Sequence, residues 1–312
     1  MSSHNSSIEL THFFFGDVDS FKRPVVSGVV IMIVYIILTI ANAVNTVFII
    51  SDQKLHKPMY LLICNLAVVD IMFTSSVVPT IIGVLFGTVK SIFYVPCLIQ
   101  MFVRHWSSAM EMFALAFMAF DRVLAVSYPF QYHNYLTNAR TLITASILWL
   151  SSACILAVMP ATVVPLPHCY PKLKYIYCDY AAVVRSTCAD VNYYFNLVTV
   201  IIFFLLFFTF FFICLSYIAI LVQVKLSSSS EKRKIYSTCL SHFIVVSCYY
   251  GPAFVRVVLT RVGLVLTIEQ WYGAVFVIIL GPPFVNPFVY CLRTKEIRSK
   301  LLKIFQNIKT SL

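Results

Sequence analysis

The chain has 312 residues, of which 60% are hydrophobic and only 11% are charged, and its mean hydropathy is +0.89. A soluble domain carries about 25% charged residues, so this composition excludes an ordinary soluble enzyme or binding domain. The net charge of +11 therefore does not indicate nucleic-acid binding, and no nucleic-acid partner is expected.

Seven apolar runs are each long enough to cross a bilayer as a helix, which takes about 20 residues. They cover residues 25–50, 59–84, 97–127, 139–163, 192–223, 235–259 and 268–292. Residues 1–24 precede them and 293–312 follow them. The sequence therefore predicts an all-α membrane protein with one seven-helix domain, residues 25–292, and no soluble domain.

Lysine and arginine concentrate in alternate loops. The loops near 51–58, 121–140 and 225–235, with the tail from 293, hold fourteen Lys and Arg against four Asp and Glu, whereas the other side has a net charge of +1. Positive residues mark cytoplasmic loops, so we expect an extracellular N-terminus and a cytoplasmic C-terminus. Asn5, in NSS at 5–7, is then a candidate glycosylation site, and the first span is the expected signal anchor.

Four polar residues lie at a similar depth inside the spans, and ionisable residues there indicate function. They are Asn42, Asp70, Glu111 and Asn286. Two facing carboxylates cannot both ionise cheaply, so they would share a proton or bind a hard cation such as sodium through oxygen ligands. The alternative is a hydrated polar network that only holds the helices together. No other metal or cofactor is expected.

An adjacent acid and base, Asp121 and Arg122, stand at the end of the third span. Tyr217 and Tyr290 lie near the same membrane face, and we expect their hydroxyls to hold Arg122 in either of two arrangements. Pro287, deep in the seventh span, removes a backbone hydrogen bond and kinks the helix. Kinks supply hinges for a helix movement.

The outer parts of the third, sixth and seventh spans predict a small-molecule site, mostly apolar with a few convergent polar groups. Its expected wall residues are Met101, Arg104, His105, Ser108, Tyr250, Phe254, Val255, Val258, Arg261 and Tyr272. Cations at Arg104 and Arg261 favour a small amphipathic anion such as a carboxylate. In one alternative, the Arg261 side chain extends to the lipid headgroups and binds no ligand. In another, Arg104 pairs with Asp190 or Glu269, and the ligand is neutral.

The ten cysteines divide by position. Six lie in or near the spans, where small apolar packing is their ordinary role. The other four are Cys97, Cys169, Cys178 and Cys188, on the outer side, where disulfides persist. Four cysteines allow three pairings, and the residues alone do not decide among them.

Ordered motifs carry a family resemblance that runs nearly end to end. They are LHKPMY at 55–60, MAFDR at 118–122, SY at 216–217, KIYSTCLSH at 234–242, PPFVNPFVY at 282–290 and RTKEIR at 293–298. On these motifs the chain resembles a vertebrate odorant receptor of the rhodopsin-like class of G-protein-coupled receptors. The resemblance implies a seven-transmembrane bundle followed by a short amphipathic eighth helix in residues 293–312.

The resemblance also implies roles for particular residues. It pairs Cys97 with Cys178 and Cys169 with Cys188, and it places Asp70, Glu111 and Asn286 in a sodium pocket. Tyr250 falls at the position of an aromatic switch beneath the ligand. The residues expected to act in G-protein coupling and activation are Asp121, Arg122, Tyr217, Ser237, His242, Asn286, Pro287 and Tyr290.

The function that the resemblance implies is chemosensory. The receptor would lie in the plasma membrane of sensory-neuron cilia, contact membrane lipids, bind a small-molecule odorant and activate a heterotrimeric, stimulatory G protein that raises cyclic AMP. It would not be an enzyme. Val123 stands where the family has tyrosine, which favours a divergent member, such as one from an aquatic vertebrate.

Two alternatives remain open at this point. One keeps the fold and makes the chain a receptor for an internal hormone or lipid mediator. The other is a channel or transporter, although the inverted repeats typical of transporters are not evident. A photoreceptor would need a lysine within the seventh span for a Schiff base, and residues 268–292 contain none.

Overall fold

A computed structural model of the chain describes residues 11–16, 21–226, 229–262 and 268–293, with the backbone alone for part of the last two segments. The elements in chain order are β1 (His12–Phe15), α1 (Pro24–Ser51), α2 (Pro58–Leu85), β2 (Ser91–Phe93), α3 (Tyr94–Ser127), α4 (Tyr132–Tyr135), α5 (Asn138–Leu156), α6 (Val158–Val163), β3 (Lys172–Leu173), α7 (Tyr180–Arg185), α8 (Val191–Leu226), α9 (Ser229–Val262) and α10 (Ile268–Arg293). A 3₁₀ turn at Gln53–Leu55 joins α1 to α2.

Seven long helical segments build the bundle. Within the described residues, α1, α2, the pair α5–α6, α8 and α10 are long and apolar enough to cross a membrane. The apolar part of α9 is shorter, Cys239–Val255, and α3 carries several charged residues along its length. With α3 and α9 the architecture is the expected seven-helix membrane bundle.

Two helices differ from the expected spans by an internal break or by more than three residues at one end. The fourth span, 139–163, is divided, because α5 ends at Leu156 and α6 begins at Val158. Pro160 lacks the N–H that would bond to the carbonyl of residue 156, which accounts for the break. The sixth helix begins at Ser229 rather than near 235, because only apolar residues define a membrane run, whereas the helix continues through the polar residues before it.

The third helix forms the centre of the bundle. It packs against α2, α5, α8 and α9, while α1 packs on α2 and α10, and α10 packs on α9. Many of its side chains are buried, including charged ones. By contrast, α8 exposes large aromatic side chains such as Phe204 and Phe211, as expected for a helix long and apolar enough to cross a membrane.

A small sheet covers one end of the bundle. Strand β1 pairs antiparallel with β2, which directly precedes α3, and parallel with β3. Phe13 on β1 is fully buried, with its ring 5.8 Å from the rings of both Tyr94 and His168. We call this end, which carries β1, the outer end, and the opposite end, which carries Asp121 and Arg122, the inner end. The pairing of the N-terminal segment was not predicted from the sequence.

Candidate functional site

Arg104 is a buried cation at the outer end. It lies on α3, one residue before His105, and is 6% exposed. Its Nη1 donates to Oδ1 of Asp179 at 2.8 Å, and Nε2 of His105 lies 3.3 Å from the same oxygen. The guanidinium also lies over the ring of Tyr177, 5.3 Å from its centroid. A buried charge needs such a partner, and Asp179 supplies it.

The pairing of Arg104 with Asp179 corrects the alternative that Arg104 pairs with Asp190. Arg104 pairs with Asp179, not with Asp190, whose Oδ1 accepts the backbone N–H of Asn192 at 3.0 Å. The side chain of Glu269 lies outside the described residues. Asp179 directly follows Cys178 in residues 164–190, between α6 and α8, which we call the outer loop. This adjacency would have identified Asp179 once the disulfide was assigned to α3.

Two disulfides hold the outer loop in place. Cys97 bonds to Cys178 with a Cα–Cα distance of 5.4 Å, and Cys169 bonds to Cys188 with a Cα–Cα distance of 5.3 Å. Both pairings that the resemblance implied are therefore confirmed. The first disulfide joins the loop to the outer end of α3, directly beside Asp179.

Gln100 adds a second connection between the loop and the helices. Its Oε1 accepts the backbone N–H of Cys178 at 2.8 Å. Its Nε2 donates to the carbonyl of Ser76 at 2.8 Å and to Oγ1 of Thr80 at 2.7 Å, both on α2. Asp179 is thus positioned above Arg104 by a disulfide and a hydrogen bond acting on its neighbour.

Two adjacent tyrosines connect α9 to the helices around it, deeper than Arg104. The hydroxyl of Tyr249 donates to the carbonyl of Ser108 on α3 at 3.0 Å. The hydroxyl of Tyr250 donates to Oγ1 of Thr209 on α8 at 2.7 Å. Phe254 packs its ring against aromatic rings of α8 and lies 6.1 Å from that of Tyr250. The structure therefore brings Tyr250 and Phe254 together and places Ser108 against Tyr249, the neighbour of Tyr250.

Other expected wall residues have different surroundings. Met101 is fully buried in the core, and Tyr272 packs against the ring of Phe21, 4.7 Å away, in a cluster formed with α1 and α2. Val255 is 57% exposed, so the prediction that it lines the site is corrected. A helix turns about 100° per residue, and α9 directs the neighbouring Phe254 inward instead. The side chains of Val258 and Arg261 lie outside the described residues.

A polar cluster occupies the middle of the bundle. Asp70 is fully buried, and its two carboxylate oxygens accept hydrogen bonds from Nδ2 of Asn286 at 3.2 and 2.9 Å. Glu111 is 1% exposed and interacts electrostatically with Asp70. Oε1 of Glu111 and Oδ1 of Asn286 are buried oxygens without a hydrogen-bond partner among the described residues. Such oxygens fit a hard cation or a shared proton.

Asn42 makes two hydrogen bonds to backbone carbonyls, and its place in the polar pocket stays a prediction. Its Nδ2 donates to the carbonyls of Leu38 and Pro283, both at 3.0 Å. The amide therefore connects α1 to α10 through the backbone. Among the described residues no group of three His, Cys, Asp or Glu side chains is arranged to hold a metal ion.

At the inner end, Arg122 pairs with its neighbour. Its Nη2 lies 3.1 Å from Oδ2 of Asp121. The hydroxyl of Tyr132, on α4, donates to the other oxygen of Asp121. Burial and this acidic neighbour raise the pKa of Tyr132 well above its ordinary value, so the hydroxyl keeps its proton. Tyr132 was not identified from the sequence.

His242 joins the inner half of α9 to two other helices. Its Nε2 lies 3.1 Å from the carbonyl oxygen of Leu115 on α3, and its Nδ1 lies 3.0 Å from the hydroxyl of Tyr217 on α8. The hydroxyl of Tyr290 donates to Sδ of Met118 at 3.8 Å. The hydroxyl of Tyr217 also donates to the carbonyl of Cys239 at 3.4 Å. Arg122 pairs with Asp121. The side chain of Ser237 lies outside the described residues.

An apolar cluster extends the same three-helix junction. Ile220, Val224 and Cys239 are buried, and Val123 packs against them. Valine at 123 therefore contributes an apolar contact between α3 and its neighbours. Movement of α9 away from α3 would open this cluster.

Comparison with known proteins agrees with this geometry. A family model described as olfactory receptor matches residues 31–308. Similar proteins from Homo sapiens include olfactory receptor 10G7, 31% identical over 280 residues and 88% of each chain, and olfactory receptor 2AT4, 30% identical over 279 residues, 88% of this chain and 86% of the relative. Olfactory receptor 4E2 from Mus musculus is 27% identical over 309 residues, 98% of each chain. The chain therefore belongs to the olfactory receptor family of seven-helix G-protein-coupled receptors, which are multi-pass plasma-membrane proteins and not enzymes.

Proposed function

We propose that this odorant receptor binds a small amphipathic anion beside Arg104 and activates a stimulatory G protein that raises cyclic AMP. The observation that carries the signalling part is the connection of α9 to α3 at two depths. Tyr249 bonds to Ser108 in the outer half, and His242 bonds to the carbonyl of Leu115 further in. The part of α9 between His242 and Tyr249, on one side of Pro252, thus contacts both the expected ligand region and the region that a G protein must enter.

The mechanism follows from differential binding. A ligand shifts a population only when it binds one arrangement of the helices better than another. A ligand that separates Tyr249 from Ser108 would favour movement of α9 about Pro252, which lies inside the helix and removes one of its backbone hydrogen bonds. The contacts of His242 with Leu115 and Tyr217 would then break, and Arg122 would become accessible to the G protein.

The anionic ligand is supported by the chemistry of Arg104. Guanidinium groups bind carboxylates through parallel hydrogen bonds from two nitrogens. The contact of Arg104 with Asp179 uses Nη1, and the buried Nε of Arg104 has no hydrogen-bond partner among the described residues. A ligand carboxylate would use that donor. Arg261 remains a second candidate for the same role by sequence position alone.

A sodium ion or a shared proton in the polar cluster is a further part of this proposal. Asp70, Glu111 and the unsatisfied amide oxygen of Asn286 would hold the cation, which supplies positive charge between two carboxylates. Removing sodium at constant ionic strength should then lower the thermal stability of the purified wild-type receptor. The thermal stability of a matched Glu111→Gln receptor should fall less when sodium is removed. An equal fall in both receptors would contradict a role for Glu111.

We also propose that the outer end is extracellular and the tail cytoplasmic. The charge sorting supports this orientation, and so does the position of both disulfides at the end that carries β1. Contact with membrane lipids, glycosylation at Asn5, which lies outside the described residues, and location in sensory cilia complete the proposal.

Cyclic AMP in cells that express the receptor tests the central proposal. The cells would be exposed to acids, amines, alcohols and steroids, with Arg122→Ala as a control at matched surface expression. We expect a ligand-dependent rise in wild type that the control lacks. A rise of equal size in Arg122→Ala would contradict the proposed coupling.

Family membership excludes the channel or transporter alternative. The remaining alternative, a receptor for an internal hormone or lipid mediator, differs in where the chain is expressed rather than in its geometry. Transcript abundance in sensory epithelium against internal tissues would distinguish the two. Abundance confined to internal tissue would favour the alternative.

A further inference from the structure

We infer that Asp179 is a tethered competitor of the ligand: it occupies Arg104 until a carboxylate from solution displaces it. This inference rests on the proposed anionic ligand and goes beyond it, because it assigns a role to the loop carboxylate. It predicts that the sensitivity of the receptor is set by competition between two anions for one guanidinium.

Exposure is unequal within the pair. The Arg104 side chain is 7% exposed, whereas that of Asp179 is 18% exposed. A displaced Asp179 can therefore turn toward solvent, but Arg104 has to keep a counter-charge where it stands, because an unpaired buried charge is strongly destabilising. Exchanging one carboxylate for another keeps the charge next to Arg104 constant.

The donors of Arg104 leave an edge for the incoming anion. The guanidinium carries five N–H donors, and the described contact with Asp179 is through Nη1. The buried Nε lacks an acceptor, and a free carboxylate can rotate to bridge Nε and Nη2, which share one edge of the guanidinium. Its negative charge then repels that of Asp179 beside the same cation, which favours release of Asp179.

The tether gives Asp179 its advantage. A group attached beside its partner acts at an effective concentration that is greatest when its tether matches the span between the two groups. A ligand must exceed this competition before it binds. Removing the Asp179 carboxylate should therefore improve carboxylate binding, the opposite of what is expected when a residue merely supports the site.

Straight-chain carboxylates from acetate to decanoate, with the alcohols of equal length as neutral controls, provide the probe. Binding to the purified full-length receptor would be measured by thermal stabilisation, and signalling by cyclic AMP. In Asp179→Asn, we expect the stabilising carboxylates to act at a concentration at least about tenfold lower than in wild type. The alcohols should act equally on both receptors. Arg104→Gln should lose the carboxylate response, and so should the double variant that combines Arg104→Gln with Asp179→Asn.

Several outcomes would overturn the inference. Asp179→Asn could bind carboxylates no better than wild type, the alcohols could shift as much as the acids, or no member of the series could stabilise either receptor. If Asp179→Asn does not fold, Asp179→Ala prepared in acetate buffer replaces it. Stability restored by acetate, but not by chloride at equal ionic strength, supports the inference, and no restoration overturns it. If carboxylates stabilise Asp179→Asn at lower concentration but cyclic AMP does not rise, the proposed G-protein coupling is contradicted and this inference is still supported.

Discussion

The two ends of α3 each carry a buried arginine paired with an aspartate, but the pairs are built differently. Arg122 pairs with Asp121, its own neighbour on the helix, at 3.1 Å. Arg104 pairs with Asp179, 75 residues away in the outer loop, at 2.8 Å. The inner pair joins two neighbours on one helix, with Tyr132 of α4 bound to Asp121, whereas the outer pair depends on the position of the loop. A ligand at the outer end can therefore change the outer pair without breaking any bond within α3.

The largest expected effect comes from removing the disulfide that holds the outer pair. A Cys97→Ser, Cys178→Ser receptor should lose about 2–5 kcal/mol of unfolding free energy, measured by thermal unfolding with surface expression. The matched control is Cys169→Ser, Cys188→Ser. The Cys169–Cys188 disulfide closes a loop of 19 residues rather than 81. The chain-entropy model therefore predicts that removing it costs about 1 kcal/mol less unfolding free energy. A larger loss in the control would contradict the model.

A smaller effect is expected from the hydrogen bonds that position the loop. Gln100→Leu leaves the backbone N–H of Cys178 without its acceptor, which should cost about 1–3 kcal/mol of unfolding free energy. Thr80→Val removes just one partner of the Gln100 amide and should cost about 0.5–1.5 kcal/mol. Thermal unfolding of both variants gives the order. Equal stability of Gln100→Leu and wild type would show that this hydrogen bond does not stabilise the loop.

At the inner end, the expected effect is on basal signalling rather than on folding. His242→Leu removes the contacts of α9 with Leu115 and Tyr217. Losing about 1.4 kcal/mol from that arrangement would shift the population about tenfold, so basal cyclic AMP should rise at matched surface expression. Tyr217→Phe keeps the Leu115 contact and should give a smaller rise. A fall in basal signal in both variants would show that these contacts stabilise the active arrangement.

The smallest expected effect is a pH dependence at the outer end. Desolvation lowers the pKa of His168 below its ordinary value of 6.5, so the folded receptor favours the neutral ring. Its contribution to stability is then complete above about pH 6.5 and is lost as the pH falls through the folded pKa. Thermal unfolding between about pH 7.5 and 5 should show a loss that His168→Gln reduces. An identical pH dependence in the variant would assign the loss elsewhere.

The sequence predicts what depends on local chemistry. The long apolar runs predict the seven helical segments, because spanning a bilayer requires a certain length. The neighbours Asp121 and Arg122 pair because one helix carries both. The break before Val158 also had a local signal in Pro160, although the apolar run concealed it.

Features that depend on distant pairing could not be predicted in this way. Strand β1 forms only because β2 and β3 meet it at the outer end, and the polar N-terminal segment carries no clear strand pattern. Asp179 becomes the partner of Arg104 because a disulfide brings it there. Tyr249 finds the carbonyl of Ser108 through the packing of α9 on α3, which helix periodicity alone does not specify.

The thiol of Cys239 offers the most direct test of the link between the two ends. It is 8% exposed, at the junction where Val224 and Val123 pack. Peptide-resolved thiol labelling of the intact receptor would compare its modification rate with and without the carboxylate series, in wild type and in Arg104→Gln. The predicted result is faster labelling of Cys239 with carboxylate in wild type only. A carboxylate-dependent rise in cyclic AMP with unchanged labelling of Cys239 would contradict the movement of α9 away from α3.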